Sequence, residues 1–511
     1  MPPVEPDHDC PFKHEAATLH ERLAEQAQQI ARLEARLAEH ERHRMGRRSE
    51  RMPPKADALR QADGTRADPV ATQALRQESR EAKKALPTIP FVHEVASEIA
   101  DCCPRCKAGP MEPLGEGEVS VVVEREPARF VRHRHVVHKK VCRACEHIET
   151  ASSPLRRFGQ QGQYGASVVA DVVASKCKDA LPFHRLEQRY EREGLLVSKN
   201  TMVDLFHRAA AELAPLHTAL MEEIAQQDVV HADETVLKRQ RGEKRGHSGN
   251  GWMWTFLSDD DETARIGYRY STSRSGETPV AVLGGSQGAL VVDAYTGYNP
   301  VTTPEGRERA GCLAHARRKL YELREKVPSV DAALALILEV YRVEAEAKAQ
   351  GIVRTSQHHA LRQSRSRKAM DDLKAWAEAE QAKWPPRGPV ATACGYLLDH
   401  WTEMTRFLSN VQLPPDNNAA ERALRGVALG RKNFLFVGHE LAGENTAILY
   451  SLVATCVAND VNPSEWLTDV LLRVQTWPAA NVGELLPYRW KNARDDAAAP
   501  AGTSEAADPG G

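Results

Sequence analysis

The sequence predicts an α/β protein of several domains, and three observations carry that expectation. The chain has 511 residues, more than a single hydrophobic core usually serves. Four short runs rich in apolar and β-branched residues, 228–236 (DVVHADETV), 252–257, 264–270 and 289–294 (ALVVDA), read as strands. Longer stretches with helical periodicity lie on both sides of them. A helix over Glu277–Leu283 precedes the last of the four strands, and a further short strand is expected just before Cys312. Strand-strand-strand-helix-strand is the order of a ribonuclease-H-like sheet.

The composition is that of an ordinary soluble chain, with 27% charged and 41% hydrophobic residues. A formal net charge of −2 does not advertise a polyanion binder, so any such surface must be a local basic patch. No apolar run reaches the roughly 18 residues of a membrane span. The opening MPPVEPDHDC lacks a basic stretch followed by an apolar one, so no secretory signal is expected. A cytoplasmic, nucleoid-associated location follows. Its 10 cysteines then read as ligands or core residues rather than disulfides.

From the N-terminus, 11–45 read as one helix. Leu19, Leu23, Ile30, Leu33 and Leu37 fall on the a and d positions of a heptad, with Gln26 and His40 as polar d positions. The pattern predicts a short coiled coil and hence a homo-oligomer; the alternative is a helix packed on its own protein. It runs into Arg42, Arg44, Arg47, Arg48 and Arg51, a basic knot suited to phosphates or simply a solvated helix end. The coiled coil with its basic end spans 11–52, and a polar linker spans 53–85.

A zinc-binding ribbon is expected over 86–155. Cys103 and Cys106 form one CxxC pair and Cys142 and Cys145 another, with 35 residues between them. Four thiolates at two such knuckles close a tetrahedral structural Zn²⁺ site, with strand-forming sequence between the pairs. Cys102 is the rival of Cys103. The intervening Arg132, His133, Arg134, His135, His138, Lys139 and Lys140 make a basic strip, either a phosphate contact or a solvated strand face.

Residues 156–222 read as helical. One helix covers about 166–178, a second runs from Pro182 to Gly194, and a third begins after Ser198 as an N-cap. Three short helices with a glycine turn before the last resemble a helix-turn-helix, which puts Lys199, Asn200 and Thr201 at the start of a recognition helix. The bland alternative is a helical linker.

Asp233 and Asp293 carry the chemistry. Each follows apolar residues of a strand, where a carboxylate is costly unless a cation or donor compensates it. If those strands are neighbours, both acids reach one spot. Mg²⁺ takes such oxygen ligands, and a pair of ions about 3.5–4 Å apart suits phosphoryl transfer. A third acid must come from later. Asp416, Asn417 and Asn418 offer N-cap oxygens, and Glu421 sits in the first turn of the next helix. Arg422, Arg425, Arg431 and Lys432 follow it as candidates for DNA phosphates, as does Arg317 near the last strand, beside His315 and Arg318. The alternative for Glu421 is a pair with Arg425 four residues on, or a carboxylate that answers the helix dipole, and Glu234 and Asp416 are rival acids. Cys312 and His315 lack a second ligand pair, so a core cysteine and a site-lining histidine are the simpler reading.

The strings HADETVL, VVDAYTGYN, GCLAHARRKL and DNNAAERALRGVALGRKNFLFVG resemble the catalytic core of insertion-sequence-66-type transposases. SKCKDALPFHRLEQRYEREGLLVSKNTM resembles the helical region before that core, CPRC with VCRAC its zinc-binding segment, and NPSEWLTDVLLRV with LLPYRW its C-terminal end. Leu313, Gly426 and Cys177 depart from the residues usual in the family, at packing or turn positions. The resemblance implies an acidic triad at Asp233, Asp293 and Glu421 that holds two Mg²⁺ or Mn²⁺ ions. It also implies a helical insertion before the third acid, consistent with the 128 positions between Asp293 and Glu421. The core is then 223–313 and 410–475 around an insertion at 314–409, with a tail at 476–511 whose end, from Ala497, is expected to be disordered.

The function these features imply is metal-dependent cleavage of DNA at an element's ends, then attack of the freed 3′-hydroxyl on target DNA. Accessory proteins of the same element are possible partners, and no membrane is expected. The alternative is an inactive DNA-binding accessory or regulatory protein of a mobile element. A repair nuclease of the same fold does not explain the coiled coil, ribbon and insertion together.

Overall fold

The computed structural model describes residues 164–240, 248–259 and 263–498, short stretches at 130–131, 139–141 and 148–150, and the single residues Gln77 and Glu81. The expected coiled coil, Arg47 and Arg48, the linker, Cys103, Cys106, Cys142, Cys145 and the end beyond residue 498 lie outside the described residues. The chain divides after Glu126 into two units, and all the features below belong to the second.

Strands β1 (Lys139–Val141) and β2 (Ile148–Thr150) pair antiparallel, so they bracket the second CxxC pair in sequence. Helices α1 (Ala166–Cys177), α2 (Phe183–Arg192) and α3 (Lys199–Ala225) follow. The Ser198 hydroxyl accepts the Thr201 N–H at 3.2 Å and caps α3 as its sequence predicts. The expectation of three short helices fails here, because α3 has 27 residues. Met202, Leu205, Ala209, Leu213, Leu216, Leu220 and Ile224 recur at helical spacing and are buried along its whole length. Core burial therefore carries the helix well past a recognition-helix length.

The central sheet has five strands in the order β7-β6-β3-β8-β9. These are β3 (Val229–Val236), β6 (Trp252–Asp259), β7 (Ala264–Ser271), β8 (Ala289–Val291) and β9 (Glu308–Ala310). A two-stranded ribbon, β4 (Arg239–Gln240) with β5 (Ser248–Gly249), extends beyond β3. The first three sheet strands form an antiparallel meander. Helix α4 (Glu277–Leu283) then returns the chain to the other side of β3, where β8 and β9 run parallel. Both faces of β8 are covered, which is why its sequence reads as a continuous apolar run. Ala289 and Val291 join one core, and Leu290 and Val292 the other.

The second core is built by the helical segment after β9: α5 (Leu313–Tyr321), α6 (Val330–Ala349), α7 (Ser356–Leu361), a π-helical turn (Arg362–Ser366), α8 (Arg367–Gln381), α9 (Pro389–Asp399) and α10 (Trp401–Ser409). Its breaks include those expected near Thr355 and Trp384. Arg362 is buried and grips Glu344 through Nε and Nη2, both at 2.8 Å. Its Nη1 donates to the carbonyls of Phe407 at 2.8 Å and Leu413 at 3.0 Å. A guanidinium can serve these acceptors at once because its donors form a rigid fork. The inserted helices are thereby fastened to the segment that leads back to the sheet.

That segment enters α11 (Asn418–Phe434), followed by α12 (Glu440–Ala458) and α13 (Pro463–Arg473). Strand β7 is an edge, and α12 covers it with a polar ladder. Ser451 Oγ accepts the Tyr268 N–H at 2.7 Å. Thr455 Oγ1 accepts from Ile266 N at 3.2 Å and donates to Ile266 O at 3.0 Å. Asn459 does the same for Ala264, at 3.2 and 2.7 Å. Four helical residues advance about 6 Å and two strand residues about 6.8 Å, so the spacings match. By length and composition alone α12 is apolar enough to cross a membrane, but this face is committed to the sheet.

The C-terminal stretch expected to be a tail is part of the first core as far as Trp490. A 3-10 helix (Ala479–Leu485) and α14 (Pro487–Ala498) bury Leu485, Leu486, Tyr488 and Trp490. The indole N–H groups of Trp466 and Trp490 reach Leu485 O at 2.9 Å and Asp469 Oδ2 at 2.7 Å.

Candidate active site

Strand register brings the first two acids together. Residues Val229, Val230 and His231 of β3 lie opposite Ala289, Leu290 and Val291 of β8, in parallel. Asp233 and Asp293 are each two residues beyond the last of these pairs, so they leave neighbouring strands at the same level. Strand β8 ends at Val291, earlier than the sequence predicts, and Asp293 sits in a turn where its Oδ1 accepts the Tyr295 N–H at 2.9 Å.

The third acid is brought in by Asn417. Its Nδ2 donates to Ala232 O at 2.7 Å, and its Oδ1 lies 3.0 Å from His231 Nδ1. Its own N–H reaches Cys312 Sγ at 3.2 Å. Asn417 is buried, so these bonds are well protected and fix the start of α11 against β3. The side chain does not cap its own helix; Asp416 Oδ1 takes the Asn418 N–H at 3.0 Å instead. Glu421 in the first turn of α11 then lies near Asp233.

The electrostatics record this convergence. Burial pushes the Asp233 carboxyl up to about 7. The Glu234 N–H opposes that shift, and the negative charges of Glu234, Asp293 and Glu421 reinforce it. Glu421 Oε1 is buried without a hydrogen-bond partner. His315 Nδ1, also unpartnered, stands 3.8 Å from it, and Arg318 Nη2 is 3.5 Å from Oε2. Among the described residues no three His, Cys, Asp or Glu side chains are gathered closely enough to enclose a single ion. A buried carboxylate held near neutrality and an orphaned carboxylate oxygen are what divalent cations satisfy, so the donor set fits Mg²⁺ or Mn²⁺.

The rival acids are occupied. The Glu234 side chain is 2% exposed and is held by Arg274, with Nε at 2.8 Å and Nη2 at 2.5 Å from Oε1. The Tyr298 hydroxyl donates to its Oε2 at 2.6 Å. Asp416 is engaged by Asn418 and by the Tyr341 phenol. Cys312 is buried, and burial pushes its thiol up to about 12, a core residue that takes the Asn417 N–H.

The basic candidates separate. Arg422, Arg425 and Lys432 on α11, Arg317 on α5, and Lys199 and Asn200 on α3 are exposed. Arg431, which the sequence offers to DNA phosphates, donates through Nη1 to Thr235 Oγ1 and Val236 O, both at 2.7 Å. It braces α11 on β3. Three residues that sequence reasoning passed over flank the acids. Arg274 stacks on Tyr295 at 4.0 Å and Trp252 at 4.9 Å. Tyr298 is buried under Glu234. Arg309 donates to Asp293 O at 2.9 Å and Asn299 Oδ1 at 2.7 Å. The strings HADETVL and VVDAYTGYN hold Glu234, Tyr295 and Tyr298, but pairings across the fold are invisible in either string.

Residues 161–445 match the family model described as "Transposase IS66 family". Residues 451–488 match "IS66 C-terminal element", and 100–146 match "zinc-finger binding domain of transposase IS66". All four CxxC cysteines fall within the last match. Two Sinorhizobium fredii proteins are similar over most of their length. "Uncharacterized protein y4hP" is 29% identical over 91% of this chain and 89% of its own. "Uncharacterized protein y4jD" is 30% identical over 84% of this chain and 86% of its own.

Proposed function

The chain belongs to the IS66 transposase family, and from that premise we propose that it cuts and joins DNA at Asp233, Asp293 and Glu421. The supporting observation is the junction of β3, β8 and α11, which sets two carboxylates at neighbouring strand ends and a third within their electrostatic reach. The strand order β7-β6-β3-β8-β9, three antiparallel strands followed by two parallel ones, supports a ribonuclease-H-like core with the helical insertion before α11.

Two Mg²⁺ ions supply, when bound, activation of the attacking oxygen and stabilisation of the leaving one. The three carboxylates hold them there. Arg274 and Tyr298 fix Glu234 and so the backbone beside Asp233. Arg309 fixes the backbone carbonyl of Asp293. Arg318 holds Glu421 through its Oε2, and exposed Arg317, Arg422, Arg425 and Lys432 meet DNA phosphates. Cys103, Cys106, Cys142 and Cys145 hold a structural Zn²⁺. The heptads before residue 45 pair protomers so that two DNA ends are processed together, and the first turn of α3, with Lys199 and Asn200, reads DNA.

Purified protein incubated with duplexes carrying the terminal repeats that flank its gene tests the reading. Strand cleavage and transfer should require Mg²⁺ and fall at least about 10³-fold in Asp233→Ala, with DNA binding retained. Metal-independent cleavage, or full cleavage by that variant, would overturn it.

A further inference from the structure

The helix that bears Glu421 ends in a strained turn. The Phe434 carbonyl accepts the Phe436 N–H at 2.8 Å, and Leu435 between them has φ 66° and ψ −44°. This is a γ-turn of the positive-φ kind, rare and strained for any residue with a β-carbon. Burial of the side chain does not compensate, since Leu435 is 64% exposed and Phe436 43%. A strained residue persists only where its surroundings over-determine it, and these do. Asn433 Nδ2 donates to Ala180 O at 2.9 Å. The buried Lys176 ammonium lies 3.5 Å from the Phe434 ring centroid. Leu435 N–H reaches Arg431 O at 2.9 Å, and Val437 exchanges backbone bonds with Lys238 O at 2.9 Å and Gln240 N at 3.0 Å. The fold clamps both flanks and lets two apolar side chains project.

Their surroundings are basic. Arg422, Arg425 and Lys432 are exposed on α11, and Lys238 is exposed in the link between β3 and β4, where its carbonyl accepts the Val437 N–H. Arg422, Arg425 and Lys432 sit at spacings that share one helix face with exposed Leu429. Among the described residues none of these four cations has an acidic partner. A second copy of this chain meeting the face symmetrically would set like charges against each other. A polyanion with an apolar stacked interior suits it better.

We propose that Leu435 and Phe436 form a wedge that enters between stacked base pairs of duplex DNA lying along α11, with Arg422, Arg425, Lys432 and Lys238 on the flanking phosphates. Apolar side chains inserted in this way unstack a base step and bend the duplex. The proposal rests on the reading that Asp233, Asp293 and Glu421 cut DNA. The fourteen residues from Glu421 to Leu435 advance roughly 20 Å along the helix. At about 3.4 Å per base pair, the unstacked step lies about six base pairs from the cut.

The test uses the full chain and terminal-repeat duplexes with 2-aminopurine placed singly at three to nine base pairs on either side of the repeat's outer end, where the cut is expected. Bound wild-type protein should raise fluorescence severalfold at one step near the sixth pair. Leu435→Gly relieves the turn while removing the side chain, so its Tm should hold or rise while the fluorescence change is lost. Phe436→Ser should lose most of it as well, and affinity for DNA should fall less than about tenfold in both because the phosphate contacts remain. Fluorescence unchanged in both variants overturns the wedge. So does a fall in oligomer mass by light scattering with fluorescence intact, which would mark a face between protomers. Wild-type protein that cuts without any fluorescence change sinks the wedge alone, whereas protein that unstacks DNA but never cuts it contradicts only the reading of the carboxylates.

Discussion

At the residue scale, Asp233 is the most informative side chain. Its carboxyl is raised to about 7, first by burial, so its charge is disfavoured in the folded state. The sign follows from linkage: a folded pKa above the unfolded one gives stability at acid pH that is lost as pH rises through about 7. Asp233→Asn should therefore raise the Tm of cation-free protein at pH 8, by about 1 °C for each kcal/mol relieved in a chain of this size, and leave it nearly unchanged only below the ordinary aspartate range, at about pH 3.5. Calorimetry at the two pH values checks this; an equal or lower Tm at pH 8 would contradict it. The sequence makes Asp233 and Asp293 legible because an acid after buried apolar residues is costly. Glu421 is far less legible. Its place depends on Asn417, a residue that reads locally as an N-cap but instead bonds across 185 positions to β3.

At the element scale, the strands and α4 are legible because period-two burial and turn residues act locally. Both the short β8 and the long α3 depart from expectation because tertiary packing sets them. The ladder of Ser451, Thr455 and Asn459 on β7 is invisible in sequence, since serine, threonine and asparagine within an apolar helix carry no mark of what they bind. Thr455 is fully buried and satisfies both backbone groups of Ile266. Thr455→Val keeps the shape and leaves those groups unpaired, so stability in urea should fall by about 1–3 kcal/mol. Cleavage per folded molecule should be unchanged. A stability loss below about 0.5 kcal/mol would mean that the ladder does not secure the edge.

At the scale of the whole molecule, two cores lie on opposite faces of one sheet, and the acids sit where both meet. The first core joins β3 to α11 through Leu424 and Val427. The second holds the inserted helices, whose Arg362 fastens the approach to α11. This explains how 128 intervening positions still deliver Glu421 to Asp233. The order of elements was legible from the strands and from long family strings, but the tethers that close the site were not, because a buried arginine has the same letter as a surface one. The central claim is that the three carboxylates hold divalent cations on DNA. Electron paramagnetic resonance of Mn²⁺ titrated into the protein–DNA complex measures this directly. Two Mn²⁺ ions per active site are predicted for the wild type, with at least one lost in Glu421→Gln and both in Asp233→Ala; equal Mn²⁺ occupancy in all three proteins would contradict the account.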